Sequence, residues 1–303
     1  MKIRYLKILP LVKKIIKEFS PDIVHAHYAS SYGLLGVLSG FHPFIISIWG
    51  SDVFDFPKKS FIHKYVLKYN LGKADYILST SIAMAEEIRL YTDKKIEVTP
   101  FGIDLEKFKE FEVESLFADI DIVIGTIKSL EDVYGVEYLI RTFKLLVDKY
   151  PHLPLKLLIV GSGSLESELK NLVQALRLST QTIFTGEVLA KDVPKYLNML
   201  SIYVALSKRE SFGVAVLEAS ACSKPVIVSN VGGLPEIVED AVTGFIVAAK
   251  NPKETLIAIE KLLVDIVLRK KMGEAGRKRV KSLYNWDNNV QQMIEIYMKI
   301  VTK

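Results

Sequence analysis

Short apolar runs rich in β-branched residues recur along the chain, and each is followed by a longer stretch of helical periodicity. The first series is Asp22–Tyr28 (DIVHAHY), Phe44–Gly50 (FIISIWG), Tyr76–Ser81 (YILSTS) and Ile96–Gly102 (IEVTPFG). Runs this apolar suit strands buried on both faces of a parallel sheet. An acidic stretch, Glu110 to Asp121, reads as a linker. A second series follows: Ile122–Lys128, Leu155–Gly163, Thr182–Val188, Ser201–Ser207, Lys224–Asn230 and Gly244–Ala249, with two helices expected to close the chain. Strand and helix alternate throughout both series. The pattern predicts an α/β protein of two doubly wound, Rossmann-like domains facing across a cleft. Residues 1–113 form the first domain and 114–285 the second; a terminal helix, 286–303, is expected to pack back towards the first.

In such sheets ligands bind beyond the carboxyl ends of the strands. His25, His27, Trp49 and Asp52 fall there in the first series, and Lys128, Gly161 and Gly163 in the second. The most informative stretch is Arg209–Ala221, RESFGVAVLEASA. Glu210 lies in a loop after a strand, and Ser211 is expected to cap the helix that follows. Phe212, Gly213 and Val214 would then offer free amides, a start that favours a phosphate. Glu218 lies one turn further in, where a carboxylate accepts hydrogen bonds from sugar hydroxyls. Two acceptors flanking an anion site suit a nucleoside diphosphate sugar, although two glutamates at this spacing also arise by chance in a charged helix.

The other candidates carry a plain reading beside the functional one. Lys128 ends a strand where it can pair with diphosphate oxygens, or it is simply solvated. Gly161-Ser-Gly163 matches half of a dinucleotide fingerprint, but Glu166 stands at the third glycine position, so a nicotinamide cofactor is poorly supported. Gly232-Gly233 is a second anion site or a tight turn. His25 and His27 are expected on opposite faces of their strand, one packed and one reaching ligand. Asp52 caps the next helix or touches a sugar, capping being the safer expectation. A metal site would need a third ligand at suitable spacing, and none is found.

Composition narrows the classes. Of 303 residues 50% are hydrophobic and 25% charged, which is globular, and a net charge of +5 is too mild to argue for nucleic acid. The single cysteine, Cys222, reads as a buried structural thiol and points to a cytoplasmic setting. No apolar run is long enough to span a bilayer, and the start lacks a signal peptide's uncharged core. Residues 4–19 predict an amphipathic helix kinked at Pro10, with Lys2, Arg4, Lys7, Lys13, Lys14 and Lys17 crowding the first twenty positions. It is an outer helix of the first domain or a contact to the anionic inner face of a membrane, and both hold if its lysines face lipid.

The segments VGSGSLESELK, FTGEV, VPKYLNMLSIYVALSKRESFGVAVLEASACSKPVIVSNVGGLPEIV and TGFIV together resemble the retaining glycosyltransferases of family 4, which have the GT-B fold. PDIVHAHY, WGSDV and VTPFGIDLEKF extend the resemblance into the first domain. It implies metal-independent, retaining transfer of a hexose from a nucleotide sugar to a polysaccharide or glycolipid acceptor. It places Glu210 and Glu218 on the family's Glu-x7-Glu motif, the first near the transferred sugar and the second on the ribose. Phe212, Gly213 and Val214 match the backbone that meets phosphate and sugar, with Ser211 beside them. Lys128 matches the diphosphate-binding base, and Glu187 and Val188 match the segment that binds the nucleobase edge.

Three departures stand out. Tyr134 occupies a position that is commonly lysine, and Trp49 one that is often histidine. The family's opening strand, glycine-rich loop and following units have no counterpart before PDIVHAHY. The opening strand would lie beside PDIVHAHY, so its absence predicts an exposed edge there. Three explanations follow: a true start further upstream, a second chain that supplies the missing half, or a shortened paralogue that binds donor without transferring sugar. A GT-B sugar-nucleotide epimerase would want a different set of acids and histidines.

Overall fold

A computed structural model describes residues 3–302 of the protein; Lys2 and the side chain of Arg4 lie outside that description. The chain divides into two compact units, one formed by residues up to Phe101 together with those from Asp287 onward, the other by Gly102–Trp286.

The first unit holds a four-stranded parallel sheet, β1 (Val24–His27), β2 (Phe44–Ile48), β3 (Tyr76–Ser79) and β4 (Ile96–Val98), in the order β1-β2-β3-β4. Every residue of β2 is buried, the four apolar ones as their run predicts and Ser47 with its hydroxyl bonded to His25. One face of the sheet packs Phe44, Ile46, Ile48 and Ile77 against Leu67, Leu71, Met84 and Ile88 from its helices. The other face sets Ile45 and Leu78 against Ile296 and Ile300 of the helix Trp286–Val301. Burying each such side chain contributes about 1.5–3 kcal/mol. β1 is an edge strand.

The start of this unit departs from the sequence reading. Residues Ile3–Ile8 form a 3-10 helix and Leu9–Phe19 an α-helix, so Pro10 falls in the first α-helical turn and starts that helix. Proline is tolerated there because its missing N–H has no helical partner to lose. The helix buries none of its residues fully, and Leu11, Ile15 and Phe19 are exposed in a stripe.

The second unit holds six parallel strands: β5 (Ile122–Ile127), β6 (Leu155–Val160), β7 (Thr182–Gly186), β8 (Ile202–Ala205), β9 (Val226–Ser229) and β10 (Gly244–Val247). Their order is β10-β9-β8-β5-β6-β7. The helix Val136–Lys149 shows why the layers form: Val136, Leu139, Ile140, Phe143 and Leu146 recur at helical spacing and are all buried against β5, β6 and β8 residues such as Ile124, Leu157 and Val204. The chain runs outward from β5 in one direction and then starts again from β8 in the other. This reversal splits the loops after β5 and β8 and opens a crevice between them. Three helices, not two, close the chain: Pro252–Val264, Ile266–Leu283 and Trp286–Val301. Asp265 separates the first two, its side chain accepting from the amide of Leu268 as a helix cap.

Candidate active site

The crevice after β5 and β8 collects the principal charged residues singled out in the sequence. Lys128 follows the last residue of β5, and its Nζ lies 2.7 Å from Glu210 Oε2. Both side chains are close to buried, at 14% and 11% exposure, so water screens the pair weakly. The Lys128 ammonium also sits over the ring of Tyr134, 4.4 Å from its centroid. Tyr134 therefore supports the Lys128 ammonium through its ring face.

The helix Val214–Ala221 starts two residues later than expected for a Ser211 cap. Gly213 is its N-cap, at φ 113°, and no side chain caps it. Ser211 instead belongs to the preceding turn. The first bond of the helix runs from Val216 N–H to the Gly213 carbonyl, which leaves the amides just before it outside the helical ladder. Phe212 is buried with its ring edge-on to Tyr284, 5.8 Å between centroids, so its side chain anchors the turn from the core side. Val214 is exposed at the helix start. Glu218 is mostly buried; desolvation pushes its carboxyl up to about 7, against the opposing pull of the Lys107 and Lys128 charges. It is one turn into the helix and within the electrostatic reach of the same lysine that pairs with Glu210.

The glycines explain how these loops approach so closely. At Gly161 φ is +131°, and a Cβ would stand 2.1 Å from the Lys128 carbonyl oxygen; at Gly163 it would stand 2.5 Å from that of Leu130. Their first duty is to let the end of β5 lie against the end of β6. Gly232, at φ +52°, would place a Cβ 1.7 Å from the Glu210 carbonyl, and the Gly233 amide donates to that oxygen at 3.2 Å. The Gly232-Gly233 turn thus buttresses the Glu210 loop, and the helix it leads into, Leu234–Ile237, is a single turn.

Further from the pair, Glu187 is exposed and Val188 half-buried just past β7, and Gly161 N–H donates to the Gly186 carbonyl at 2.9 Å. The sequence reading missed Tyr203. It is fully buried on β8, its hydroxyl donates to the Ile127 carbonyl at 3.3 Å, and burial raises it above the ordinary phenol range, with the charges of Glu218 and Glu210 adding to that shift. A tyrosine inside an apolar strand reads as core, and nothing in its spacing pointed to the two glutamates. Cys222 is buried and burial pushes its thiol up to about 12, which leaves it inert.

The first unit holds the other candidates. His25 and His27 lie on one face of β1, because residues two apart on a strand share a face; their rings are 4.2 Å apart. His25 is held by the Tyr297 hydroxyl at 2.7 Å and the Ser47 hydroxyl at 2.8 Å. Burial first, and His27 second, bring it down to about 4, so it stays neutral near neutral pH. His27 is exposed and meets the Trp49 ring at 5.4 Å; Trp49 in turn meets Phe101 at 5.5 Å. Asp52 is fully buried. Its carboxylate accepts the amides of Ala29 at 2.7 Å, Gly50 at 2.8 Å and Trp49 at 3.2 Å, clamping the loops after β1 and β2 together. Among the described residues no group of three or more His, Cys, Asp or Glu side chains is placed to hold a metal ion.

Two Rossmann-like units with this crevice define the GT-B class of glycosyltransferases. The model of the family described as glycosyl transferases group 1 matches residues 107–279, and that described as glycosyl transferase 4-like matches residues 1–81. The chain belongs to the glycosyl transferases group 1 family. An uncharacterized glycosyltransferase of Methanocaldococcus jannaschii is 28% identical over 292 residues, covering 95% of this chain and 78% of its own length. The capsular polysaccharide biosynthesis glycosyltransferase CapM of Staphylococcus aureus is 30% identical over 258 residues, 78% of this chain and 67% of its own. Among solved structures, Anabaena HepE in complex with UDP superposes with a TM-score of 0.84 at 18% identity, covering 97% of this chain and 82% of that one.

Proposed function

We propose that the protein transfers a hexose from a nucleoside diphosphate sugar to a polysaccharide or glycolipid acceptor, with retention at the anomeric carbon and no required metal. The observation that carries this reading is the near-buried Lys128–Glu210 pair beside the amide end of the Val214–Ala221 helix, with Glu218 one turn in. As the bond to the anomeric carbon breaks, negative charge grows on the leaving diphosphate. A fixed ammonium and helix-start amides stabilise that charge where it develops. Glu210 orients Lys128 and faces the sugar hydroxyls; Glu218 accepts from the ribose; the Glu187–Val188 backbone meets the base. Glu210, Lys128 and Glu218 together favour an enzyme over a donor-binding chain that does not transfer. The likeness to CapM supports the acceptor class, and Trp49 with His27 offers an aromatic and polar surface for a sugar ring.

The test is turnover. With UDP-, GDP- and ADP-hexoses and chelator present, one donor should release its nucleoside diphosphate in the presence of an acceptor, and the product should keep the donor's anomeric configuration by NMR. Inversion would remove the retaining assignment, and a strict metal requirement would remove the role given to Lys128.

We also assign an anionic membrane surface as the setting, on the exposed Leu11, Ile15 and Phe19 of the lysine-bearing helix Leu9–Phe19. Wild type should float with phosphatidylglycerol vesicles and Phe19→Asp should not. Among the described residues no helix is long and apolar enough to cross a membrane.

A further inference from the structure

The second unit holds a cavity of about 210 Å³ that the donor site does not use. Ser201, Lys224, Arg269, Lys270, Glu110 and Glu274 line it. Ser201 immediately precedes β8, and Lys224 stands two residues before β9. The strands are parallel, so this cavity lies at the amino ends of the sheet and Lys128 and Glu210 at its carboxyl ends.

One atom of a lining residue, beneath the cavity surface, lacks a partner. Arg269 Nη1 is buried and makes no hydrogen bond. Buried N–H groups are nearly always paired, and leaving a charged one unpaired is costly. Lys224 Nζ donates to the Asn198 carbonyl at 3.1 Å, which engages one of its three protons. Burial lowers both Lys224 and Arg269 from their ordinary ranges. Neither lining carboxylate relieves Arg269: Glu274 lies 4.0 Å from Lys270, and Glu110 acts on Lys224. Three cations against two carboxylates leave the lining at a net +1.

We infer that this cavity binds a phosphate group, either as free phosphate or on a small phosphorylated sugar. A guanidinium edge, an ammonium and the Ser201 hydroxyl offer the mix of donors that a tetrahedral oxyanion takes up. The volume equals about seven waters at about 30 Å³ each, room for a phosphate and a small sugar beside it. Occupation also reaches the donor helix. Arg269 lies in the first turn of Ile266–Leu283, and further along that helix Arg277 Nη1 donates to the Ala221 carbonyl at the end of Val214–Ala221. The inference stands on this cavity alone and does not depend on which sugar is transferred.

The experiment is calorimetric titration of the whole chain with inorganic phosphate and with glucose 6-phosphate, on wild type and Arg269→Gln. Wild type should bind at least one of them at about millimolar affinity or better, and Arg269→Gln should weaken that binding about tenfold or more. Tighter binding of glucose 6-phosphate identifies a phosphorylated sugar as the occupant; equal binding identifies free phosphate. Arg269→Lys, which keeps the charge and loses the fork, should also bind weakly and serves if the Gln variant does not fold. No binding of either probe to folded wild type up to about 10 mM, or undiminished binding in the folded variants, overturns the inference.

Discussion

Lys128→Ala lowers kcat by about 10²–10³-fold, the loss expected when one fixed group facing a developing anion is removed. It also destabilises the second unit by about 3 kcal/mol, because Glu210 stays nearly buried without its partner 2.7 Å away. The two losses separate in the double variant. Lys128→Ala with Glu210→Ala removes the stranded carboxylate and recovers most of the melting temperature, yet recovers no activity, since both donor contacts are gone. Steady-state kinetics alongside thermal unfolding checks this. If the double variant is as unstable as the single, the ion pair is not what couples these residues. If Lys128→Ala keeps wild-type kcat, the leaving diphosphate is stabilised by other groups.

Nucleotide affinity rises by about tenfold between pH 6 and pH 8, and Glu218→Gln removes that rise. The sign follows from burial, which pushes the Glu218 carboxyl up to about 7. Only the ionised carboxylate accepts from both ribose hydroxyls. A receptor that is one-tenth competent at pH 6 and nine-tenths at pH 8 gains affinity by about the ratio of those fractions. The nucleotide's own phosphate titrates in the same window, so the readout is the difference between wild type and Glu218→Gln. Binding near pH 7 also releases protons, so the heat measured in wild type depends on the buffer's ionisation enthalpy. Stability moves the other way. The folded carboxyl titrates above its ordinary value, so the folded state holds the extra proton. This group's contribution is greatest below that value, falls as pH rises towards about 7, and is flat above it. A pH-independent difference between the two proteins would remove Glu218 from the ribose.

The fold was legible in the sequence because its strands are buried on both faces. Runs such as FIISI and LKLLIV are short and mostly apolar, which suits buried strands, and their alternation with helices points to a parallel sheet. Strand order was not legible: nothing local in Ile202–Ala205 shows that β8 pairs with β5 and not with β7. The charged residues of the crevice could be picked out because Lys128 follows a strand end, Glu210 lies in the loop after a strand and Glu218 in the helix that follows. Local conformation was less so. A serine before a glycine looks like a cap, but Gly213 at φ 113° takes that position because its chain direction suits no side chain. Gly232 was readable only as a turn, since its reason is a carbonyl 22 residues earlier in the chain, that of Glu210. Tyr134 looked like a lost charge and is a ring beneath the remaining one. His25 and His27 were misread through strand parity, a rule the sequence alone was enough to apply.

The central claim is that the second unit's crevice is a nucleoside diphosphate site organised by Lys128, Glu210 and Glu218. Calorimetric titration with UDP, GDP and ADP at pH 8 tests it most directly, UDP first. One of the three should bind to wild type at about micromolar affinity, and Glu218→Gln and Lys128→Ala should each bind it about tenfold more weakly or worse. Folded wild type that binds none of them, or binds one with the affinity of both variants, would contradict the account.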